Sequence, residues 1–345
     1  TKITLTVIAG KTSLNSGLFY GCSTLTRISI PETINVIETS VFENCTSLSS
    51  FTVPASVSSI GSGAFHGCTN LKTFIIEDSD SELTMGDGSN SPFSDNCAID
   101  SLYLGRNINS DFKRGKWTNL TRVAIGDKVT HLIESLFYDY KKLTNVHLGA
   151  NVATMGTGVF SGCTSLESID LSVTKLTTLP LYSFYQCSSL KSVLFPADLT
   201  EIQYGSFENC TSLSSFTVPA SVSSIGSGAF HGCTNLKTFI IEDSDSELTM
   251  GDGSNSPFSD NCAIDSLYLG RNINSDFKRG KWTNLTRVAI GDKVTHLIES
   301  LFYGYTKLRN VHFGENITSM GEYVFSGCSS MTYIDMTGKL AADRK

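Results

Sequence analysis

The sequence lacks most of the features on which a functional assignment usually rests. No apolar run approaches the roughly eighteen residues a membrane-spanning helix needs, so no membrane insertion is expected of this segment. No basic stretch leading into an apolar core opens the chain, and no secretory signal is visible. Positive charge is in deficit, with 26 Lys and Arg against 33 Asp and Glu and a formal charge of −7. A pI near 5.4 argues against a nucleic-acid partner. There is no HExxH motif, no Cys pair beside a histidine and no two histidines at metal-ligand spacing within a repeat. No catalytic residue, metal or cofactor is therefore expected, and the chain reads as no enzyme.

What the sequence has in abundance is repetition. Cys22, Cys45 and Cys68 are 23 residues apart, and so are Cys187, Cys210 and Cys233. Around them runs the frame F-x-x-C-x-x-L-x-x-[IFV]-x-[IVLF], as in "FYGCSTLTRISIP" (19–31), "FENCTSLSSFTVP" (42–54) and "FYQCSSLKSVLFP" (184–196). An "I-G-x-x-[AVS]-F" lead-in precedes the Phe, as in "IGSGAF". A fixed period near 23 residues signals a solenoid, whose units bury their apolar faces only against their neighbours. The Leu slot recurs from Leu25 to Met331 and defines fourteen units, with a fifteenth strand expected at "LTV" (5–7). Triplets such as "FTV", "LYL" and "VHL" alternate as strands do, outer residues inward and the middle one outward. Stacked in register, they give a parallel sheet with one strand per repeat. The Gly- and Ser-rich lead-in is expected to form turns and short helical pieces on the convex side.

The frame I-G-x-x-A-F-x-x-C-x-x-L-x-x-I-x-I-P resembles the BspA-like class of leucine-rich repeats over residues 5–336. The resemblance implies an α/β, right-handed, curved solenoid spanning 1–345 as a single domain. It also implies a cell-surface or secreted protein associated with adhesion to host matrix or cells, and it lends no catalytic residue. The chain starts inside a repeat and ends after "IDM" with no polar cap, so further sequence is expected at both ends.

Within this frame several clusters invite a chemical reading. Each unit offers one Cys at one slot, and stacked side chains point the same way, which favours an unbridged ladder. Trp117 and Tyr140 occupy the same slot, so the position asks for apolar bulk. Cys97 and Cys262 fall out of register and are the candidates for bridging. Between Phe74 and Leu102 the step lengthens to 28 through the acidic insert "EDSDSELTMGDGSNSP" (77–92), repeated at 242–257. The insert offers oxygens for calcium, but Leu83 falls where an EF-hand counted from Asp78 needs Gly. It reads as a solvated loop. "GRNINSDFKRGKW" (105–117) gathers Arg106, Lys113, Arg114 and Lys116, with Arg122 following, either as a solvated face or as a dock for an acidic partner. Asn44, Asn119, Asn209, Asn284 and Asn316 match the glycosylation pattern, which matters only in a secreted eukaryotic protein.

The outward residues of the strands are mostly small and polar. The middle of the block differs: Ile75, Tyr103, Arg122 and His147 lie on neighbouring strands, with copies at Ile240, Tyr268, Arg287 and His312. Hot spots of binding are enriched in Tyr and Arg, so these eight are the candidate ligand-binding residues. The expected partner is a host or matrix protein, a glycoprotein or another cell-surface protein. A spacer that projects another domain is the alternative. Residues 42–138 and 207–303 are identical at an offset of 165, which predicts two equivalent sites and a bivalent module. At the strand spacing of about 4.8 Å, seven units would separate them by roughly 34 Å.

Overall fold

Hydrogen bonding between repeats, rather than within them, organises this chain. The computed structural model describes residues 2–4, 10–86, 90–93, 98–109, 117–251, 255–258, 263–274, 282 and 284–335. The chain divides into two units, Thr1–Lys175 and Leu176–Lys345.

In each unit the strands form two parallel ladders. The first unit's long ladder holds five paired strands: Ser50–Val53, Thr73–Ile76, Ser101–Leu104, Arg122–Ile125 and Asn145–His147. Lys2–Thr4 pairs with Arg27–Ser29 before it, and Ser168–Asp170 follows. The second unit's long ladder holds six: Ser215–Val218, Thr238–Ile241, Ser266–Leu269, Arg287–Ile290, Asn310–His312 and Tyr333–Asp335. The strand expected at residues 5–7 lies outside the described residues; the described one is Lys2–Thr4. Alternation holds as the triplets predict. Phe51 and Val53 are buried while Thr52 between them is exposed.

A second ladder, absent from the sequence reading, runs through the lead-ins as two-residue strands. Ser13–Leu14, Val36–Ile37, Ser59–Ile60 and Thr84–Met85 form one such sheet. Thr178–Leu179, Glu201–Ile202, Ser224–Ile225 and Thr249–Met250 form its counterpart in the second unit. Gly61 follows one of these strands because a Cβ there would stand 2.6 Å from the Thr39 amide of the preceding repeat.

No helix occurs among the described residues, which corrects the α/β expectation and its short helical pieces. The reason is conformational. Left-handed residues recur every four positions in the turns, as at Ser40 (φ 57°) and Asn44 (φ 60°), then Gly63 (φ 64°) and Gly67 (φ 70°). A right-handed helix cannot pass through them. Alternate amides instead bond across repeats: Ser40 N to Ser62 O, Phe42 N to Ala64 O and Asn44 N to His66 O, at 2.7–3.1 Å. The fold is thus a β-solenoid of leucine-rich-repeat type, closed by turns.

The core is a stack of like on like. Leu48, Leu71, Leu143, Leu166 and Leu236 are each fully buried at the Leu slot. Phe42 stacks on Phe19 and Phe65 at 5.4 Å, and Phe207 on Phe230 at 5.6 Å. Trp117 and Tyr140 take the Cys slot and stack at 6.3 Å, both buried, as the demand for apolar bulk predicts. The cysteines are free thiols among the described residues. Their preference over other small apolar residues has a polar reason as well. Cys68 Sγ donates to Phe42 O and Cys233 Sγ to Phe207 O, each at 3.2 Å, so the thiol ties one repeat to the one before it. Burial raises the Cys45 thiol to about 11, leaving it protonated and inert. Cys97 and Cys262 lie outside the described residues.

Candidate ligand-binding groove

The five extra residues of the insert leave the long ladder in register, since Phe74 still pairs with Leu102. The second ladder also continues through the insert, Thr84–Met85 pairing with Ser59–Ile60, and side chains add further ties beside it. The Arg106 guanidinium donates to Pro54 O (2.6 Å), Ala55 O (3.1 Å) and Val57 O (2.8 Å), about fifty residues earlier in the chain. It is fully buried, which corrects its place in a solvated basic run. Arg271 repeats the arrangement with Pro219, Ala220 and Val222. Burial lowers the pKa of Arg106, while Glu77 and Glu32 oppose the shift. Its Nε has no hydrogen-bond partner. Lys113, Arg114 and Lys116 lie outside the described residues.

The insert's acids are engaged by the protein itself. Tyr103 Oη donates to Asp78 Oδ1 at 2.7 Å, and Lys128 Nζ pairs with Asp80 at 2.8 Å. The Asp78 carboxylate raises the Tyr103 hydroxyl to about 12. Gly126 leaves room for this contact: a Cβ there would lie 2.6 Å from Asp78 Oδ1 and 2.7 Å from Tyr103 Oη. No group of three or more His, Cys, Asp or Glu is placed to hold a metal among the described residues.

Strand register brings the candidate face residues together. Ile75, Tyr103, Ala124 and His147 form one row across four neighbouring strands, and Thr73, Ser101, Arg122 and Asn145 form the row beside it. Ala124 is the small member between two large ones, so the first row has a notch between the Tyr103 ring and the His147 imidazole. A groove of about 770 Å³ lies over these rows and ends at Ser168 and Asp170. All four sequence candidates of the first copy line it. Ile75 and Tyr103 are half-buried, while Arg122 and His147 are exposed. Asp170 accepts from the amide (2.8 Å) and hydroxyl (2.5 Å) of Ser172, which hold its pKa below the usual value.

In the second copy the same register aligns Ile240, Tyr268, Ala289 and His312, with Arg287 in the adjoining row. Tyr268 Oη again donates to an insert carboxylate, Asp243, at 2.7 Å. Of the fifteen residues lining the first groove, thirteen recur at the offset of 165, so the departures are confined to two. Arg309 stands where the first copy has Thr144, and Tyr333 where it has Ser168. The identity ends at residue 303, just short of both, so a reading built on the identical block sees equivalent sites where the full grooves are not equivalent.

The other sequence candidates are structural or peripheral. His66 is exposed beside Glu43 at 3.9 Å, and His231 beside Glu208 at 3.5 Å. His131 and His296 open two-residue strands. Among the glycosylation-pattern residues, Asn44 and Asn316 are exposed, and Asn119, Asn209 and Asn284 are half-buried.

The repeat architecture and the sequence frame meet in one comparison. The BspA type leucine rich repeat region matches in six copies, over residues 1–113, 112–237 and 271–342. The chain belongs to this family. Among solved structures, it is similar to a leucine-rich repeat protein of Bacteroides ovatus at 23% identity, covering 96% of this chain and 73% of that one with a TM-score of 0.46. A leucine rich cell surface protein of Faecalibacterium prausnitzii follows at 20% identity, 98% and 88% coverage and a TM-score of 0.31. The Treponema pallidum leucine rich repeat protein matches at 21% identity, 61% and 78% coverage and a TM-score of 0.31. At these identities the likeness concerns the fold alone. No curated protein matches the sequence. No helix among the described residues is long and apolar enough to cross a membrane.

Proposed function

We propose that this BspA-type repeat protein is a non-enzymatic binding or adhesion module, on the cell surface or secreted, that recognises a protein or glycoprotein through the long-strand face. The observation that carries the proposal is the groove itself. Ile75, Tyr103, Arg122 and His147 lie on four adjacent strands of the first unit and border one cavity of about 770 Å³. The other outward residues of that unit's strands are mainly small and polar and give little apolar area to desolvate.

The groove is also preorganised. Tyr103 is held by Asp78, so little of its side-chain freedom is lost when a partner binds. Binding by one copy would make engagement of the other effectively intramolecular for a repetitive ligand. A matrix-protein and glycan array with the full chain identifies the partner. Alanine at Tyr103, Arg122, Tyr268 and Arg287 together is expected to abolish its capture, and undiminished capture would refute the chosen face. The spacer reading predicts that the quadruple variant changes nothing while repeat number changes reach.

A further inference from the structure

The second copy repeats the register and thirteen of the fifteen lining residues of the first groove, but the edge of the identical block runs through that set. The two replaced lining residues are not neutral in chemistry. Thr144 becomes Arg309 and Ser168 becomes Tyr333, the residue types most enriched at binding hot spots. Tyr333 pairs in register with Asn310, and Asn310 with Arg287, so the new ring lies in the arginine row of the same sheet. Arg309 immediately precedes Asn310.

The charge balance changes with them. The first groove holds one guanidinium, Arg122, and one carboxylate, Asp170, which bonds to Ser172 and faces His147. In the second, Arg287 and Arg309 face the single carboxylate Asp335. That carboxylate approaches His312 at 3.9 Å, and the Tyr333 ring packs on the His312 ring at 5.6 Å. The second groove therefore has two arginines, no described ion pair to either, and its one acid directed to a histidine. Tyr333 is 51% exposed and adds aromatic surface beside them.

We infer that the two grooves have diverged in specificity: the second takes an anionic, carboxylate-rich segment of a protein partner, and the first takes an uncharged one. The inference rests on the long-strand face being the binding surface. Paired guanidiniums favour carboxylates because each forms charge-assisted, often bidentate hydrogen bonds, whereas a groove with balanced charge gives an anion no net attraction. Specificity here is a difference of affinities between two otherwise shared frameworks.

Titration of the full chain with a hexaglutamate peptide tests this, with hexaglutamine as the uncharged control and calorimetric stoichiometry as the readout. One hexaglutamate per chain is expected. Arg309→Thr with Tyr333→Ser should weaken it about tenfold, and Arg122→Ala should leave it unchanged. The converse variant, Thr144→Arg with Ser168→Tyr, should raise the stoichiometry to two. Two equal sites in the unaltered chain, no site at all, or indifference to the Arg309 and Tyr333 replacements would overturn the inference. Unaltered circular dichroism confirms folding of each variant. Failure of the face itself would appear separately, as undiminished capture of the array-identified partner by the quadruple alanine variant.

Discussion

Regular repeats and insert-bearing repeats solve the same stacking problem by different means. Around Phe42–Ile76 the backbone does it: amides at Ser40, Phe42 and Asn44 bond to the next repeat, thiols bond to Phe carbonyls, and the exposed strand positions are left to residues such as Ser50 and Thr52. Around 77–128 the backbone ladders persist, with Thr84–Met85 still paired to Ser59–Ile60, and long polar side chains are added to them. Arg106 reaches three carbonyls, Lys128 reaches Asp80 and Tyr103 reaches Asp78. The groove runs from Thr73 and Ile75 across the second kind of repeat to regular repeats at Ser168 and Asp170. Irregularity in the solenoid is thus where distinctive side chains are both needed for stability and presented on the face.

The largest effect is expected where a side chain bonds to distant backbone. Arg106→Met removes the guanidinium from the carbonyls of Pro54, Ala55 and Val57, of which Pro54 O keeps the Val57 amide. At about 1–3 kcal/mol for a buried group left unsatisfied, the first unit should lose about 1–3 kcal/mol, chiefly at Val57 O. Chemical denaturation measures this, and hydrogen exchange should locate the loss at residues 54–57. Arg106→Lys should not rescue, since one ammonium does not reproduce the planar fork.

A second prediction concerns the regular repeats. At pH 8 a thiol with a pKa of about 11 is thiolate in only about one part in a thousand. In a Cys97→Ser, Cys262→Ser background, Ellman's reagent should modify exposed Cys22 rapidly and Cys45, Cys68, Cys163, Cys187, Cys210 and Cys233 only on unfolding. Fast reaction of several thiols in the folded chain would contradict the buried ladder.

A smaller effect separates the insert from its neighbours by pH. The Tyr103 hydroxyl is raised to about 12 in the folded chain, chiefly by Asp78. A raised pKa stabilises the folded state below the unfolded value near 10, and that contribution disappears as pH rises through about 12. Ultraviolet titration should show Tyr103 ionising late, and Asp78→Asn should return it toward 10.

Much of this was legible in the sequence because a repeat states its own register. The Phe, Cys and Leu slots mark the core, and the strand triplets place Ile75, Tyr103, Arg122 and His147 on one face, as the register shows. The turns that replace the expected helical pieces were not legible, because Ser40 and Asn44 give no plain sign of left-handed backbone, unlike Gly63 and Gly67. Arg106 looked like part of a basic run, since its carbonyl partners stand about fifty residues away and carry no charge to mark them. The divergence of the grooves was visible in the sequence at Thr144 and Arg309. Its meaning required knowing that position 144 lines the groove.

The central claim is that the notch over Ala124 and Ala289 is where a partner seats. The most direct test is to fill it. Ala124→Leu with Ala289→Leu puts larger side chains at half-buried outward positions of intact strands, away from the core. Measured against the partner identified on the matrix and glycan array, the account predicts a loss of affinity of about tenfold or more with the unfolding midpoint unchanged. Full affinity in the filled variant would contradict it.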